Sequence, residues 1–293
     1  MADKTTETLH VNAPGLDARP LVSVAEELCA AQCDAAEVVG RARVELANAG
    51  RALAVSIREG GKLIYAAAGS SGLMALADAA EIGGTFGIPS SQIRILMAGG
   101  IPTDASMPGD TEDAAEGLVA GFSDVTARDT LIVLSASGST PYALEAVRRA
   151  KAQGAMVVAI ANNPDTPLLQ GADHAICLHT PPELLAGSTR MGAGTAQKIA
   201  LNVLSTLMAV ELGHVYDGMM VNLVADNEKL RLRALGIVCA ISGVSKDVAR
   251  DALRLAEGRV KPAIVMAACG CDLDAAKWML EAAHGNLRVA LSK

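Results

Sequence analysis

The sequence predicts an α/β protein: a parallel sheet flanked by helices, followed by a small C-terminal helical bundle. Three observations predict it. Five short runs rich in Ile, Val, Leu and Ala alternate with helix-length segments between residues 62 and 179. The runs lack strict polar alternation, as expected of strands buried on both faces. Two of them end in turns crowded with hydroxyls and glycine, where a buried strand should feed a helix.

The elements follow in order. Residues 1–20 are polar, carry Pro14 and Pro20, and read as a flexible arm. Residues 21–59 form one Ala-rich helical pattern, with Leu28, Val38, Val39, Val44, Leu46, Leu53 and Ile57 at mixed three and four spacing, stopped by Gly60-Gly61. Strands are expected at 62–68, 92–98, 130–135, 155–161 and 174–179, and helices at 72–82, 112–121, 141–153 and 193–212. Alternation of this kind implies right-handed crossovers and one α/β domain over 21–215. Residues 216–293 read as a helical connector, helical at 220–240, and a small three-helix domain that opens at Ser245. Such a unit is too small to be very stable alone.

Composition bounds the function. The chain has 293 residues; half are apolar but only 2% aromatic, so its core is built from Ala, Leu, Val, Ile and Met. The net charge of −7 and the absence of a Lys/Arg run argue against a nucleic-acid partner. No signal peptide is visible, and no apolar stretch reaches the ~18 residues of a membrane span. The protein is expected in the cytoplasm, away from membranes. The six cysteines lack zinc spacing and read as small core thiols in a reducing compartment. Neither a metal nor a cofactor is expected.

The most informative stretch is Ser135-Ala136-Ser137-Gly138-Ser139-Thr140-Pro141. A helix N-terminus offers unpaired N–H groups and about half a positive charge. Hydroxyls with a glycine there form a cup for an anion, most often phosphate. A plain N-cap at Thr140 before Pro141 accounts for one hydroxyl, but not for Ser135, Ser137 and Ser139 as well. Gly69-Ser70-Ser71-Gly72 repeats the construction after the first strand, although such a run is also an ordinary loop. No Walker lysine follows, and the glycine spacing is wrong for a dinucleotide fingerprint. A third candidate, Ser188-Thr189-Arg190, precedes a long helix; Arg190 either contacts an anion or pairs with a surface carboxylate.

Two carboxylates stand out: Glu81 in Asp78-Ala79-Ala80-Glu81, and Glu112 in Thr111-Glu112-Asp113. Each has a dull explanation, as a solvated helix residue and as an acidic first-turn residue. On loops at one sheet edge they would serve as acid and base.

Together these segments resemble the sugar isomerase (SIS) fold and, more closely, the N-acetylmuramic acid 6-phosphate etherases. The run from Gly187 to Lys198 carries the resemblance most specifically. It joins Ala68–Gly72, Asp78–Glu81 with Thr85–Gly87, Thr111–Asp113, Ala136–Tyr142, Asn163–Pro167 and, in the tail, Gly243–Ser245, Val260–Met266 and Glu281–Arg288. The resemblance implies an SIS-type sheet and a homodimer. It implies removal of D-lactate from the 3-position of a phosphorylated amino sugar, by elimination on the opened-chain aldehyde and then water addition. Glu112 matches the family's base and Glu81 its acid. An acid working near neutral pH needs its carboxyl pKa raised by burial, and the Ala-rich surroundings of Glu81 are expected to supply it. Ser70, Ser71, Ser137 and Thr140 match the phosphate-holding hydroxyls of the wider SIS group.

Three positions depart from the etherases. Leu73 and Ser139 stand where they carry Arg, and Gly192 where they carry Lys. Each change deletes a cation near the expected anion. Charge-assisted hydrogen bonds contribute about 1.5–3 kcal/mol each. Losing three weakens the hold on a doubly charged ligand by roughly 10³-fold or more, at about tenfold per 1.4 kcal/mol. Hydroxyls and helix ends offset only part of that. Two alternatives remain beside the lyase: a phosphosugar aldose–ketose isomerase, and a non-catalytic phosphosugar-binding regulator.

Overall fold

The five expected strands form within two residues of their expected limits: β1 (Leu63–Ala67), β2 (Ile93–Met97), β3 (Thr130–Ser135), β4 (Met156–Ala161) and β5 (His174–Cys177). The computed structural model describes residues 4–107, 111 and 116–292. The strands are all parallel, in the order β2-β1-β3-β4-β5. The central β1 and β3 are buried along their whole length. From β1 the chain steps to one side, to β2, and then crosses back to β3 and onward to β5. This change of direction falls between β1 and β3, whose last residues pair as Ala67 with Leu134. Ligand sites of open α/β sheets lie at such a point, beyond the carboxyl ends of the strands.

The chain divides into two compact units, Met1–Ala79 with Ser91–Ser205 and Ala80–Ser90 with Thr206–Lys293. In the first, the sheet packs with α4 (Glu116–Gly121), α5 (Pro141–Ala152) and α6 (Pro167–Gln170) around a core of small side chains such as Ala66, Val133, Ala143, Ala146 and Ala159. The single helix expected over 21–59 is two, α1 (Leu21–Arg41) and α2 (Arg43–Arg58), broken at Ala42. Gly40 stands two residues before the break, and no proline is near it. α2 buries Leu46, Ala49, Leu53 and Ser56, a regular three-and-four face. α3 (Gly69–Phe86) and α7 (Gly192–Glu211) begin in the first unit and end in the second. α3 starts three residues earlier than expected, so Gly69–Gly72 is its own first turn.

Two further expectations need correction. Cys29, Cys33 and Cys269 are exposed and Cys177, Cys239 and Cys271 only partly buried, so none of the six is a fully buried core thiol. The helices of the three exposed ones turn Ala35, Val38 and Val39 of α1, and Ile264 and Val265 in the tail, inward instead. Residues 4–20 contain two short 3-10 turns, Thr5–Glu7 and Leu16–Ala18, and Thr6 is buried. Among the described residues no helix is long and apolar enough to cross a membrane.

The second unit adds a two-stranded hairpin, β6 (Val215–Tyr216) and β7 (Met219–Met220), that the sequence pattern did not reveal. Its turn, Asp217-Gly218, has positive φ at both residues (45° and 76°), as a tight two-residue hairpin requires. Then follow α8 (Glu228–Ser242), α9 (Lys246–Leu255), α10 (Val260–Cys269), α11 (Leu273–Ala282) and α12 (Leu287–Leu291). Side-chain oxygens of Asn227, Ser245, Asp272 and Asn286 cap four of these helices. Val238, Ala249, Val260, Ile264, Ala276 and Leu287 fill the centre.

Lys261 of α10 is buried within this unit and donates from Nζ to the Gly285 carbonyl at 2.7 Å. Burial lowers its pKa from 10.5 to about 8. The folded chain therefore gives up this proton before the unfolded chain does. The burial cost is present in full below pH 8 and is relieved as pH rises from about 8 to 10.5, so stability gains in that window. Urea unfolding of wild type and Lys261→Met near pH 7 and near pH 10 should show wild type gaining on the variant by roughly 2 kcal/mol.

Candidate functional site

β3 delivers Ser135 into the turn that starts α5, and the four hydroxyls there converge. Ser135 Oγ lies 2.8 Å from Thr140 Oγ1 and 3.3 Å from Ser137 Oγ, and accepts from the Gly138 N–H at 3.0 Å. Ser137 Oγ lies 3.3 Å from Ser139 Oγ and accepts from the Ser139 N–H. Thr140 is the N-cap residue of α5, yet its side chain makes no capping bond, and Pro141 has no N–H to offer. The α5 N-terminus thus keeps its dipole facing the hydroxyls without a side-chain acceptor of its own.

Gly138 fixes the shape of this cup. Its φ is +65°, and a Cβ there would lie 2.3 Å from Thr166 Oγ1. Thr166 is only 6% exposed, and its hydroxyl has no hydrogen-bond partner among the described residues. The Gly138 carbonyl in turn accepts from Leu168 at 3.1 Å, pinning the turn to the start of α6.

On the neighbouring strand, Ser70 and Ser71 occupy the first turn of α3. Their hydroxyls make no hydrogen bond with a described residue. Ser188 and Thr189 lie half-buried in the loop before α7, and Arg190 is exposed and unpaired among the described residues. The α7 N-terminus itself is filled by Glu183. This buried carboxylate accepts from the N–H groups of Gly192 (2.9 Å) and Ala193 (2.8 Å). A Cβ at position 192 would sit 3.1 Å from Glu183 Oε2.

The amino-terminal segment joins these parts. Thr6 is 1% exposed; its carbonyl accepts from the Gly187 N–H at 3.2 Å and its hydroxyl from Asn163 Nδ2 at 3.1 Å. Asn163 Nδ2 also donates to the Ala136 carbonyl at 2.9 Å, inside the cup loop. Thr5 Oγ1 lies 3.1 Å from His179 Nε2. Lys4 then donates from Nζ to Ser139 Oγ at 2.5 Å.

Glu81 lies on α3 and is exposed, so its own chain does not enclose it as expected. The alanines of α3 that are buried, Ala75 and Ala79, face the other way with Ile82. Asp78 shares that inner face and is 4% exposed. It accepts from Tyr65 Oη, Asn202 Nδ2 and Ser205 Oγ, each at 2.9 Å. Burial, and then the Asp78 charge, push the Tyr65 phenol well above its ordinary pKa. Glu112 lies outside the described residues. Its neighbour Thr111 lines a cleft of about 400 Å³ beyond the carboxyl end of β2, with Met97, Gly99, Ile101 and Tyr142. Burial pushes the Tyr142 phenol up to about 12, so it stays a proton donor at neutral pH.

Sequence reasoning assigned no site role to Lys4, Thr6, Glu183, Tyr142 or Asp78. Only Asp78 carried a signal, standing three residues after Ala75 and four before Ile82 on one helical stripe. Gln197 of the 187–198 run donates to buried Asn162, linking that run to the end of β4.

The comparisons with known proteins agree with this architecture. An SIS domain model matches residues 32–162. Among solved structures, that of E. coli CFT073 c3406 superposes with a TM-score of 0.51 at 17% identity, covering 65% of this chain and 90% of its own, a likeness of fold. An N-acetylmuramic acid 6-phosphate etherase of Streptomyces avermitilis is 38% identical over 98% of this chain and 93% of its own length. One of Deinococcus radiodurans is 39% identical over 99% and 96%. At that identity and coverage, this chain belongs to the N-acetylmuramic acid 6-phosphate etherase family.

Proposed function

We propose that the protein is a carbon–oxygen lyase that removes D-lactate from N-acetylmuramic acid 6-phosphate or a close 3-O-lactyl amino sugar. The near full-length kinship with etherases carries the reading. Supporting it is the α5 cup: four converging hydroxyls on a helix N-terminus without a side-chain cap, suited to a phosphate. Ser70, Ser71, Ser135, Ser137, Ser139 and Thr140 hold the phosphosugar, and Ser188, Thr189 and Arg190 contribute from the loop before α7.

The chemistry needs one base and one acid. Glu112 takes the proton at C2, alpha to the open-chain aldehyde. The C3–O bond breaks as Glu81 protonates the ether oxygen, which leaves as lactate. Water then adds, its hydroxyl at C3 and its proton at C2. Exposed Glu81 gains its enclosure from bound substrate or from a second subunit. We place the enzyme in the cytoplasm as a homodimer; the exposed Leu21 and Val22 of α1 support a partner there.

The test is an assay of lactate and sugar product on muramic acid derivatives with and without the 6-phosphate. Glu81→Gln should slow lactate release by ~10²–10⁴-fold while hydrogen–deuterium exchange at C2 continues. Interconversion of a phosphosugar aldose and ketose without lactate would instead establish the isomerase, and binding without turnover the regulator.

A further inference from the structure

We infer that Lys4 supplies the positive charge of the α5 cup, so that the ligand's phosphate is held between its ammonium and the hydroxyls of Ser137, Ser139 and Thr140. This rests on the phosphosugar reading given above and names the cation that reading requires. The cup has hydroxyls and a helix dipole, yet residues 73, 139 and 192 are Leu, Ser and Gly, and Arg190, on the loop before α7, makes no hydrogen bond to the cup among the described residues. Lys4 is half-buried and rests on Ser139 Oγ at 2.5 Å. It makes no ion pair among the described residues.

A cation parked on a neutral hydroxyl is an incomplete arrangement. An ammonium carries three donors, and one bond to Ser139 leaves two for an incoming anion. The position is built rather than a random reach of a long side chain. Two threonines on a 3-10 turn fix the backbone beside Lys4, through Thr5 to His179 and through buried Thr6 to Gly187 and Asn163. Asn163 is itself bonded to the cup loop at Ala136. The same contacts that seat the segment therefore register Lys4 on the cup. The buried Thr166 hydroxyl against Gly138 lacks a partner among the described residues, at the same turn.

The experiment compares wild type, Lys4→Gln and Lys4→Arg in two assays. One follows lactate release from N-acetylmuramic acid 6-phosphate; the other measures calorimetric binding of inorganic phosphate. Lys4→Gln should raise KM, and weaken phosphate binding, by ~10–100-fold with kcat little changed, and Lys4→Arg should recover most of the loss. Unchanged KM and phosphate affinity in Lys4→Gln would overturn the assignment. A wild type that binds phosphate but releases no lactate sinks the etherase reading alone, and the phosphate arm still decides Lys4. A wild type that binds no phosphate overturns the Lys4 assignment, while lactate release alone decides the etherase reading.

Discussion

Glu112→Gln should release lactate from N-acetylmuramic acid 6-phosphate ~10²–10⁴-fold more slowly than wild type, with phosphate binding unaltered. The substitution keeps the size of the side chain and removes only its ability to accept a proton. Elimination cannot begin until the C2 hydrogen leaves, so hydrogen–deuterium exchange at C2 should stop together with lactate release. That pairing separates the base from the acid, since an acid variant blocks the later bond cleavage and leaves exchange running. The hydroxyls proposed to hold phosphate lie on the turns after β1 and β3, apart in sequence from Glu112, so calorimetry with inorganic phosphate should give the wild-type value. Turnover within tenfold of wild type, or exchange at the wild-type rate, would remove Glu112 from the base role.

The largest loss of stability is expected from Asp78→Ala, about 3–5 kcal/mol in urea unfolding. Asp78 gathers three donors from two elements: Tyr65 of β1, and Asn202 and Ser205 of α7. Tyr65 is fully buried, so its phenol has no route to water once the carboxylate is gone. Each stranded buried donor costs about 1–3 kcal/mol. A Tyr65→Phe background offers the control. Removing the phenol first should shrink the cost of Asp78→Ala, because fewer donors are left unpaired. A loss below about 1 kcal/mol would show that the cluster is not the tie between β1, α3 and α7 that its geometry describes.

What could be read from the chain followed the range of the interactions involved. The strands were legible because burial on both faces leaves continuous apolar runs, and the α5 cup because its four hydroxyls are consecutive or nearly so. The break at Ala42 was hidden, since Gly40 two residues before it reads as an isolated glycine within one apolar pattern that runs on through α2. The hairpin at residues 215–220 was missed although Asp217-Gly218 is a known turn signal; strands of two residues show no periodicity to go with it. Glu81 and Asp78 look alike in the sequence, both acidic on one helix. Only the stripe of Ala75, Ala79 and Ile82 tells which of them turns inward. Lys4 on Ser139 and Glu183 on the start of α7 are contacts across the fold or between loops, and local patterning holds no trace of either.

The cup also divides sharply into what evolution is free to alter and what it is not. Position 138 tolerates no side chain, being left-handed and pressed against Thr166, whereas its neighbour at 139 opens toward Lys4 and solvent. Polarity and charge can therefore be rewritten one residue away from a backbone that must stay as it is. A lineage could exchange one anionic sugar for another by single codon changes at 139 or 4, leaving the scaffold intact.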